Sequence, residues 1–155
     1  MCGIAGCIGD TDNETVNRML DALPHRGPND RGIHECQNMV FGHTRLSIVD
    51  VAMGHQPILA NGGSAGIICN GEIYNFRELR KALTPEFCFK TKSDSEVILH
   101  SYQKKGPECV KDLHGMFAFA VWESDRRRLS RLSARWLGLR PNFLGWSVTS
   151  LACWV

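Results

Sequence analysis

The second residue of the chain is a cysteine that becomes a nucleophile with its own base if the initiator methionine is removed. Cys2 would then carry a thiol and a free α-amine on the same residue. An α-amine titrates at about 8 and a cysteine thiol at about 8.5, so both are partly reactive near neutral pH. The amine could take the thiol proton directly or through one water. A cysteine at this position is weak evidence alone, because most cysteines are structural.

Arg45 and Asp94 are charged residues whose surroundings leave two roles open. Arg45 lies between apolar residues, where an arginine forms a structural ion pair or offers its planar donors to a ligand carboxylate. Asp94 falls at the first position of a predicted helix, where it complements the helix dipole or binds an ammonium group. The structural role is the commoner one for both residues.

Asn70 and Gly71 follow a buried strand that the apolar residues 65–69 predict. Asn-Gly usually forms a hairpin turn, and the local sequence favours that interpretation. An asparagine amide beside a closely approachable glycine N–H can also supply two donors to a developing oxyanion. The dipeptide alone does not separate these alternatives.

The elements that would position these residues follow from apolar spacing and capping patterns. Thr11-x-x-Glu14 and Ser93-x-x-Glu96 have the form of capping boxes that begin helices. The other predicted elements are a buried strand at 4–8, strands at 39–43 and 46–50, a central strand at 115–122, a helix over 75–83, and loops at 25–30, 54–57 and 61–64. The loop at 25–30 is either a surface turn or a segment that shapes a site or docks a partner domain.

The composition is that of one ordinary globular domain, with 155 residues of which 43% are hydrophobic and 22% charged. No apolar run reaches the roughly 18 residues of a membrane span, and the apolar opening lacks the basic flank of a signal peptide. We therefore expect a cytoplasmic protein with no membrane partner. Seven scattered cysteines without a Cys-x-x-Cys pair argue against a disulfide framework and against a metal site.

The charge is unevenly distributed, although the formal net charge is only +2. All 16 acidic residues lie within residues 1–125, whereas six arginines and no acid occur from Arg126 onward. A basic tail suggests nucleic acid, but no recognition motif or aromatic interleaving accompanies it. We expect no nucleic-acid partner.

Seven motifs occur in order within residues 1 to about 125. They are Met1-Cys2-Gly3-Ile4-Ala5-Gly6, His25-Arg26-Gly27-Pro28, Arg45-Leu46-Ser47-Ile48-Val49-Asp50, Gly54-His55-Gln56-Pro57, Asn70-Gly71-Glu72-Ile73-Tyr74-Asn75, Ser93-Asp94-Ser95-Glu96-Val97 and Gly115-Met116-Phe117-Ala118-Phe119-Ala120. In this order they resemble the N-terminal glutaminase domain of glutamine-hydrolysing asparagine synthetase. That domain is a class II glutamine amidotransferase of the N-terminal nucleophile (Ntn) hydrolase type. The third and fourth motifs favour this family over amidotransferases that feed ammonia to sugar phosphates, phosphoribosyl groups or glutamate.

The resemblance implies a fold and a catalytic group. The fold is α+β, a four-layer α/β/β/α sandwich of two mainly antiparallel sheets. Cys2 would attack the side-chain amide of glutamine, with its own α-amine as base. Asn70 and the Gly71 N–H would hold the tetrahedral oxyanion.

The resemblance also implies how glutamine binds. Arg45 would bind the substrate α-carboxylate, and Asp94, helped by Glu72, would receive the α-ammonium. A zwitterionic substrate needs one cation and one anion, and the sequence supplies both. The complete set of implied glutamine-binding residues is Arg45, Leu46, Ile48, Asn70, Gly71, Glu72 and Asp94.

The expected activity is hydrolysis of glutamine to glutamate and ammonia, with the ammonia intended for an acceptor such as aspartate. This step needs no cofactor. The family's synthetase domain binds ATP through a serine- and glycine-rich loop that this chain lacks. ATP and Mg are therefore expected only on a missing synthetase domain, and a synthetase partner in trans is one way to supply it.

Residues 126–155 depart from the resemblance. Where the family reads Ala-Arg-Asp-x-Leu-Gly-x-Lys/Arg-Pro, the chain has Ala134-Arg135-Trp136-Leu137-Gly138-Leu139-Arg140-Pro141, one residue shorter and without the aspartate. We expect an incomplete amidotransferase domain over 1–125 and a divergent basic, Trp-rich tail over 126–155 that looks frame-shifted and leaves the sandwich truncated. Two interpretations stay open: an active glutaminase domain, of this or another class II amidotransferase, and an inactive remnant that at most binds glutamine or a partner protein.

Overall fold

The computed structural model describes residues 2–9, 12–37, 39–48 and 50–123, and the backbone alone of residues 128–134, 143–146 and 152–154. In chain order its elements are β1 (Gly3–Ile8), α1 (Asn13–Asp21), β2 (Asp30–Cys36), β3 (Met39–Arg45), β4 (Ile58–Ala60), β5 (Ala65–Ile73), α2 (Phe76–Leu83), α3 (Asp94–Lys105), β6 (Gly115–Glu123), β7 (Arg128–Ala134), β8 (Phe143–Trp146) and β9 (Ala152–Trp154). Short 3-10 turns occupy Asn61–Gly63 and Gly106–Asp112. No helix in the described ranges has both the length and the apolar character to traverse a membrane.

Two antiparallel sheets pack face to face between helices. The first sheet has the strand order β2-β3-β1-β9 and the second β4-β5-β6-β7-β8. Helix α1 contacts β1 and β3, whereas α3 covers β5 and α2 packs beside α3. The four layers are those of the predicted α/β/β/α sandwich.

The space between the sheets is filled by apolar side chains from the alternating positions of their inner faces. Phe41 of β3 and Trp122 of β6 are fully buried and stack with ring centroids 4.3 Å apart. Ile8, Met39 and Ile68 belong to the same cluster. Complete burial of an apolar side chain of this kind stabilises the fold by about 1.5–3 kcal/mol. The stacked pair therefore holds β3 against the second sheet.

Asn70 and Gly71 do not form the hairpin turn that the local sequence favours. Both residues lie inside β5, opposite Ala118 and Phe117 of β6. A Cβ on Gly71 would lie 2.3 Å from the Met116 carbonyl oxygen. The glycine is therefore required by the close approach of the β6 backbone and not by a turn.

The strand predicted at residues 46–50 is also wrong. Strand β3 ends at Arg45, and the described residues 46–48 and 50 have no strand structure. Ile48 is 73% exposed, so no buried face supports extended pairing there. The chain turns instead, because the carbonyls of Asp50 and Val51 accept hydrogen bonds from the Arg45 guanidinium.

The two predicted capping boxes are only partly formed. Asp12 caps α1, with its Oδ1 accepting the Thr15 N–H at 2.8 Å, and Thr11 lies outside the described residues. Ser93 caps α3 as predicted, because its Oγ accepts the Ser95 N–H at 3.1 Å. Glu96 does not complete the second box, since its carboxylate turns toward the segment that precedes the helix.

Glu96 anchors that segment from a buried position. Its oxygens accept the N–H groups of Lys90 and Thr91 at 2.8 and 2.7 Å and the Thr91 hydroxyl at 2.7 Å. Burial by itself would raise the pKa of Glu96, but the adjacent His100 and these donors outweigh burial and lower the pKa to about 2. The ionised carboxylate thus fixes the approach to α3, where Asp94 lies.

We expect Glu96→Gln to destabilise the chain by about 1–3 kcal/mol, because an amide NH2 would replace one of the buried acceptor oxygens. The stability contributed by the Glu96 carboxylate is complete above its ordinary pKa and is lost as the pH falls toward about 2. Urea unfolding measured at several pH values checks both statements. Glu78→Gln, on the exposed face of α2, is the matched control and should change stability little. Equal stability of the two variants would contradict the anchoring role.

Backbone pairing continues beyond residue 123. Strands β7 and β8 extend the second sheet, and β9 pairs with β1 in the first. The other residues of the predicted tail at 126–155, and all side chains of that segment, lie outside the described residues. The domain boundary at residue 125 and the divergence of the tail stay predictions.

Candidate active site

The structure brings together every residue that the resemblance implies for the site. They line one cavity of about 150 Å³: Cys2, Arg45, Leu46, Ile48, Asn70, Gly71, Glu72 and Asp94. The cavity lies where β1 begins, β3 ends and α3 begins, beside the second half of β5. A larger, more open hollow of about 950 Å³ runs along residues 84–92 and contains none of these residues. The smaller cavity is therefore the candidate active site.

Cys2 is half-buried at the start of β1. Pairing of Gly3 with Thr44 places it beside the end of β3. The Leu46 N–H lies 3.4 Å from the Cys2 Sγ and donates a hydrogen bond to it. The thiol is thus oriented by the backbone that follows Arg45, at the wall of the cavity.

Arg45 is buried, with 4% of its surface exposed, and its guanidinium is held by a tight loop. Nη2 donates to the Asp50 carbonyl at 2.7 Å and Nη1 to the Val51 carbonyl at 3.2 Å. The Asp50 carbonyl also accepts the Gly54 N–H at 2.8 Å. Asp50 has a φ of 49°, a left-handed conformation that is unusual for a side chain other than glycine. This strained turn directs two carbonyls at the guanidinium and so fixes the positive charge at the cavity.

The Asp50 carboxylate connects the same loop to the approach to α3. Its Oδ2 accepts the Lys92 N–H at 2.7 Å. Lys92 lies two residues before Asp94 in the chain. Asp50 therefore connects the Arg45 guanidinium to the backbone that leads to Asp94.

The loop at residues 25–30 packs behind the end of β3, where Arg45 lies. A Cβ on Gly27 would lie 2.3 Å from the Thr44 carbonyl oxygen, so the loop packs directly on the end of β3. The Asn29 N–H donates to the Arg45 carbonyl at 2.9 Å, and Asn29 Oδ1 accepts the Ser47 N–H at 3.0 Å. The loop is exposed or half-buried apart from Gly27, and it is hydrogen-bonded to the backbone on both sides of Leu46.

The edge of β5 on which β4 pairs presents backbone donors toward the cavity. The Cys69 N–H donates to Gln56 Oε1 and the Ile73 N–H to Asp94 Oδ2, so both point to this edge. Donors alternate in direction along a regular antiparallel strand, and this alternation would direct the Gly71 N–H between them to the same edge. This is the direction that an oxyanion donor requires.

Asn70 contributes a second polar group at the same place. Its Oδ1 is buried and has no hydrogen-bond partner in the described part of the chain. A half-turn of the amide would place its NH2 group there instead. Buried amide atoms without partners are costly, which fits a side chain whose hydrogen bonds are completed by a ligand.

Asp94 is a buried carboxylate at the first residue of α3, 6% exposed. Burial raises its pKa, and the hydrogen bond from the Ile73 N–H at 2.9 Å opposes that shift only in part. A desolvated anion of this kind gains strongly from an ammonium group. Glu72 lies exposed at the rim of the same cavity.

The resemblance implies that Asp94 receives the α-ammonium of glutamine, and with that role its raised pKa predicts a pH dependence of binding. Only the ionised carboxylate attracts an ammonium group, so affinity is retained above the Asp94 pKa and declines as the pH falls through it. We expect KM for glutamine to rise as the pH falls through the raised pKa of Asp94. Asp94→Asn should raise KM roughly 10- to 100-fold, the loss expected for one hydrogen bond to a charged group. Asp21→Asn, an exposed control, should leave KM and its pH dependence unchanged.

Six further residues line the cavity that the sequence does not assign to the site: Gly54, Gln56, Cys69, Ser93, Ser95 and Met116. Gly54 and Gln56 belong to a motif whose composition predicts only a loop. A Cβ on Gly54 would lie 2.5 Å from Arg45 Nη2, which explains the glycine. Its role depends on how the loop folds back on the arginine, and no local pattern shows that.

In an α/β/β/α sandwich the structure thus gathers Cys2, Asn70, Gly71 and the buried charges of Arg45 and Asp94 around one cavity. A family model described as the glutamine amidotransferase domain matches residues 1–152, so the chain belongs to this family. Its solved neighbours include the glutamine phosphoribosylpyrophosphate amidotransferase from Bacillus subtilis, complexed with ADP and GMP. That structure superposes with a TM-score of 0.70 at 18% identity, covering 86% of this chain and 37% of the other. The likeness confirms the Ntn-hydrolase type of fold.

Within that class, the sequence relatives include asparagine synthetases. Asparagine synthetase [glutamine-hydrolyzing] 3 of Bacillus subtilis is 41% identical over 92% of this chain and 24% of the relative. Asparagine synthetase B [glutamine-hydrolyzing] of Escherichia coli is 40% identical over 94% of this chain and 27% of the relative. The chain thus spans about a quarter of these relatives' length and corresponds to their amidotransferase domain.

Proposed function

We propose that this chain hydrolyses glutamine to glutamate and ammonia through a thioester on Cys2. The observation that carries the proposal is the cavity in which Cys2 meets Arg45, Asp94, Asn70 and Gly71. Its size of about 150 Å³ is below that of pockets for drug-sized molecules and suits an amino acid.

In the first half-reaction the Cys2 α-amine, exposed by removal of Met1, takes the thiol proton. The sulfur attacks the side-chain amide carbon of glutamine, and the carbonyl electrons move to oxygen. Asn70 and the Gly71 N–H stabilise that oxyanion, a role in which loss of one donor typically costs on the order of 100-fold or more in rate. When the tetrahedral intermediate collapses, the protonated amine gives its proton to the leaving ammonia, and a thioester remains.

In the second half-reaction a water attacks the thioester, with the amine again acting as base. The product is glutamate, and the Cys2 thiol is restored. Arg45 and Asp94 hold the α-carboxylate and α-ammonium of the substrate throughout, so the side-chain amide is the only part presented to sulfur.

The acceptor of the ammonia is proposed from the relatives' names. The relatives are named glutamine-hydrolysing asparagine synthetases. We propose that an ATP- and Mg-dependent synthetase domain or subunit transfers the ammonia from the present domain to aspartate. The glutaminase step itself is proposed to need no cofactor.

The test is release of glutamate from glutamine, compared between chains that begin at Cys2 and chains that keep Met1. Intact mass identifies which form is present. We expect hydrolysis only when Cys2 carries the free amine. Equal activity of the two forms would show that another base serves the thiol, and absence of activity from both would favour the inactive remnant.

A further inference from the structure

The Gln56 side chain binds the backbone of β5 directly before the proposed oxyanion donors. Its Oε1 accepts the Cys69 N–H at 2.6 Å, and its Nε2 donates to the Cys69 carbonyl at 3.2 Å. Gln56 is buried, with 8% of its surface exposed. One side-chain amide therefore satisfies both backbone groups of the residue that precedes Asn70.

The strand register explains why a side chain does this. Strand β4 pairs with β5 through Ile58 opposite Ile67 and Ala60 opposite Ala65. Continued by two residues, this register would place the Gln56 backbone opposite Cys69.

The Gln56 backbone does not take up that pairing. A Cβ on Gly32 of β2 would lie 1.9 Å from the Gln56 carbonyl oxygen, so the backbone of Gln56 faces the first sheet. Its side-chain amide supplies to Cys69 the donor and the acceptor that a continued strand would have supplied.

Two more contacts connect Gln56 and Cys69 to β3 and to the start of α3. The fully buried His43 of β3 places Nε2 3.1 Å from the same Cys69 carbonyl, and burial lowers the pKa of His43 to about 4, so its ring is neutral. Gln56 Nε2 also lies 3.4 Å from the Ser95 Oγ, next to Asp94. Gln56 thus touches β5 beside the oxyanion donors and α3 beside the ammonium-binding carboxylate.

We propose that Gln56 is a positioning residue for the oxyanion hole: by replacing a strand neighbour at Cys69, it fixes the backbone that presents Asn70 and the Gly71 N–H. This inference rests on the proposed glutaminase function. The side-chain amide of Gln56 is engaged by the Cys69 backbone, so we expect its removal to displace β5 and to lower the rate of the chemical step more than ground-state binding by Arg45 and Asp94.

Gln56→Met tests the inference, since methionine keeps the length and volume of the side chain but makes no amide hydrogen bonds. We expect kcat for glutamine hydrolysis to fall roughly 10- to 100-fold, the scale of loss from misplaced catalytic groups, while KM changes less than about threefold. The Gly71 amide resonance in a ¹H–¹⁵N spectrum should shift, whereas that of Gly106, at the far end of α3, should not. Gln103→Met, which removes a side-chain amide bonded to His100, is the matched control and should keep kcat.

Gln56→Glu provides a second variant if the methionine variant fails to fold. The ionised carboxylate of this variant could accept from the Cys69 N–H but not donate to the Cys69 carbonyl, whereas the protonated acid does both. The ratio of its kcat to that of the wild type should therefore rise as the pH falls. His43 and Asp94 titrate in both proteins, so the ratio reports the part of the pH dependence that the new carboxylate introduces.

The outcomes separate this inference from the proposed function. A wild-type chain that releases no glutamate contradicts the function itself. An active wild type with an unchanged kcat in Gln56→Met, or with a loss confined to KM, overturns only the positioning role. A flat kcat ratio for Gln56→Glu across pH overturns it as well.

Discussion

Cys2→Ala is expected to lower glutamine hydrolysis at least about 1,000-fold, because the variant has no nucleophile and cannot form the thioester. The cavity should remain intact. The Cys2 side chain is half-buried and its hydrogen-bond partner is the Leu46 backbone, so its removal leaves the loop that holds Arg45 in place. Glutamine should therefore still bind, which isothermal titration measures directly.

Cys36→Ala is the control for this prediction. Cys36 is also a partly buried free cysteine, but it ends β2 and does not line the cavity. It should retain the wild-type rate. Substantial hydrolysis by Cys2→Ala would place the nucleophile elsewhere, and an equal loss in Cys36→Ala would show that the effect is not specific to Cys2.

Gly71→Ala is expected to have the second largest effect, on both folding and catalysis. A Cβ at Gly71 would lie 2.3 Å from the Met116 carbonyl oxygen and 2.4 Å from the Phe117 Cα, which are backbone atoms of the central strand β6. The φ of 153° adds strain. Together these should cost about 2–4 kcal/mol of stability. Displacement of the Gly71 N–H should also lower kcat by on the order of 100-fold.

Gly63→Ala is the control that separates the effect of backbone strain from the effect of a steric clash. Gly63 has a φ of 98°, but a Cβ there would meet nothing within 4 Å. The Gly63→Ala variant should lose about 1 kcal/mol of stability, because alanine is strained in the left-handed conformation, and it should keep the wild-type activity. Urea unfolding and kcat of the two variants check the comparison, and a Gly71→Ala variant as stable and active as Gly63→Ala would refute the close-packing argument.

The sequence predicts the parts of this fold that local periodicity controls. The apolar runs that form β1 and β6 are recognisable, as is the helix that Ser93 begins, because each is determined by neighbours a few residues away. The site residues can be named together only through the resemblance of the motifs. When Arg45 and Asp94 are each considered alone, a structural role is commoner than ligand binding.

The remaining features depend on contacts between distant segments. Asn70 and Gly71 favour a hairpin locally, but the pairing with β6 keeps them in a strand. Residues 46–48 have the composition of a strand. The chain turns there instead, because the buried Arg45 guanidinium donates hydrogen bonds to the carbonyls of Asp50 and Val51. Gln56 gives only a loop signal, because its amide acts on Cys69, thirteen residues later and in another strand. Tertiary hydrogen bonds override local propensity at each of these positions.

Acid-quenched mass spectrometry of the chain mixed with glutamine tests the central claim most directly. The account predicts a γ-glutamyl group in thioester linkage on Cys2, on a peptide whose amino terminus is Cys2 itself, that disappears as glutamate is released. An adduct on another cysteine, an adduct on chains that still carry Met1, or turnover without any adduct would contradict it.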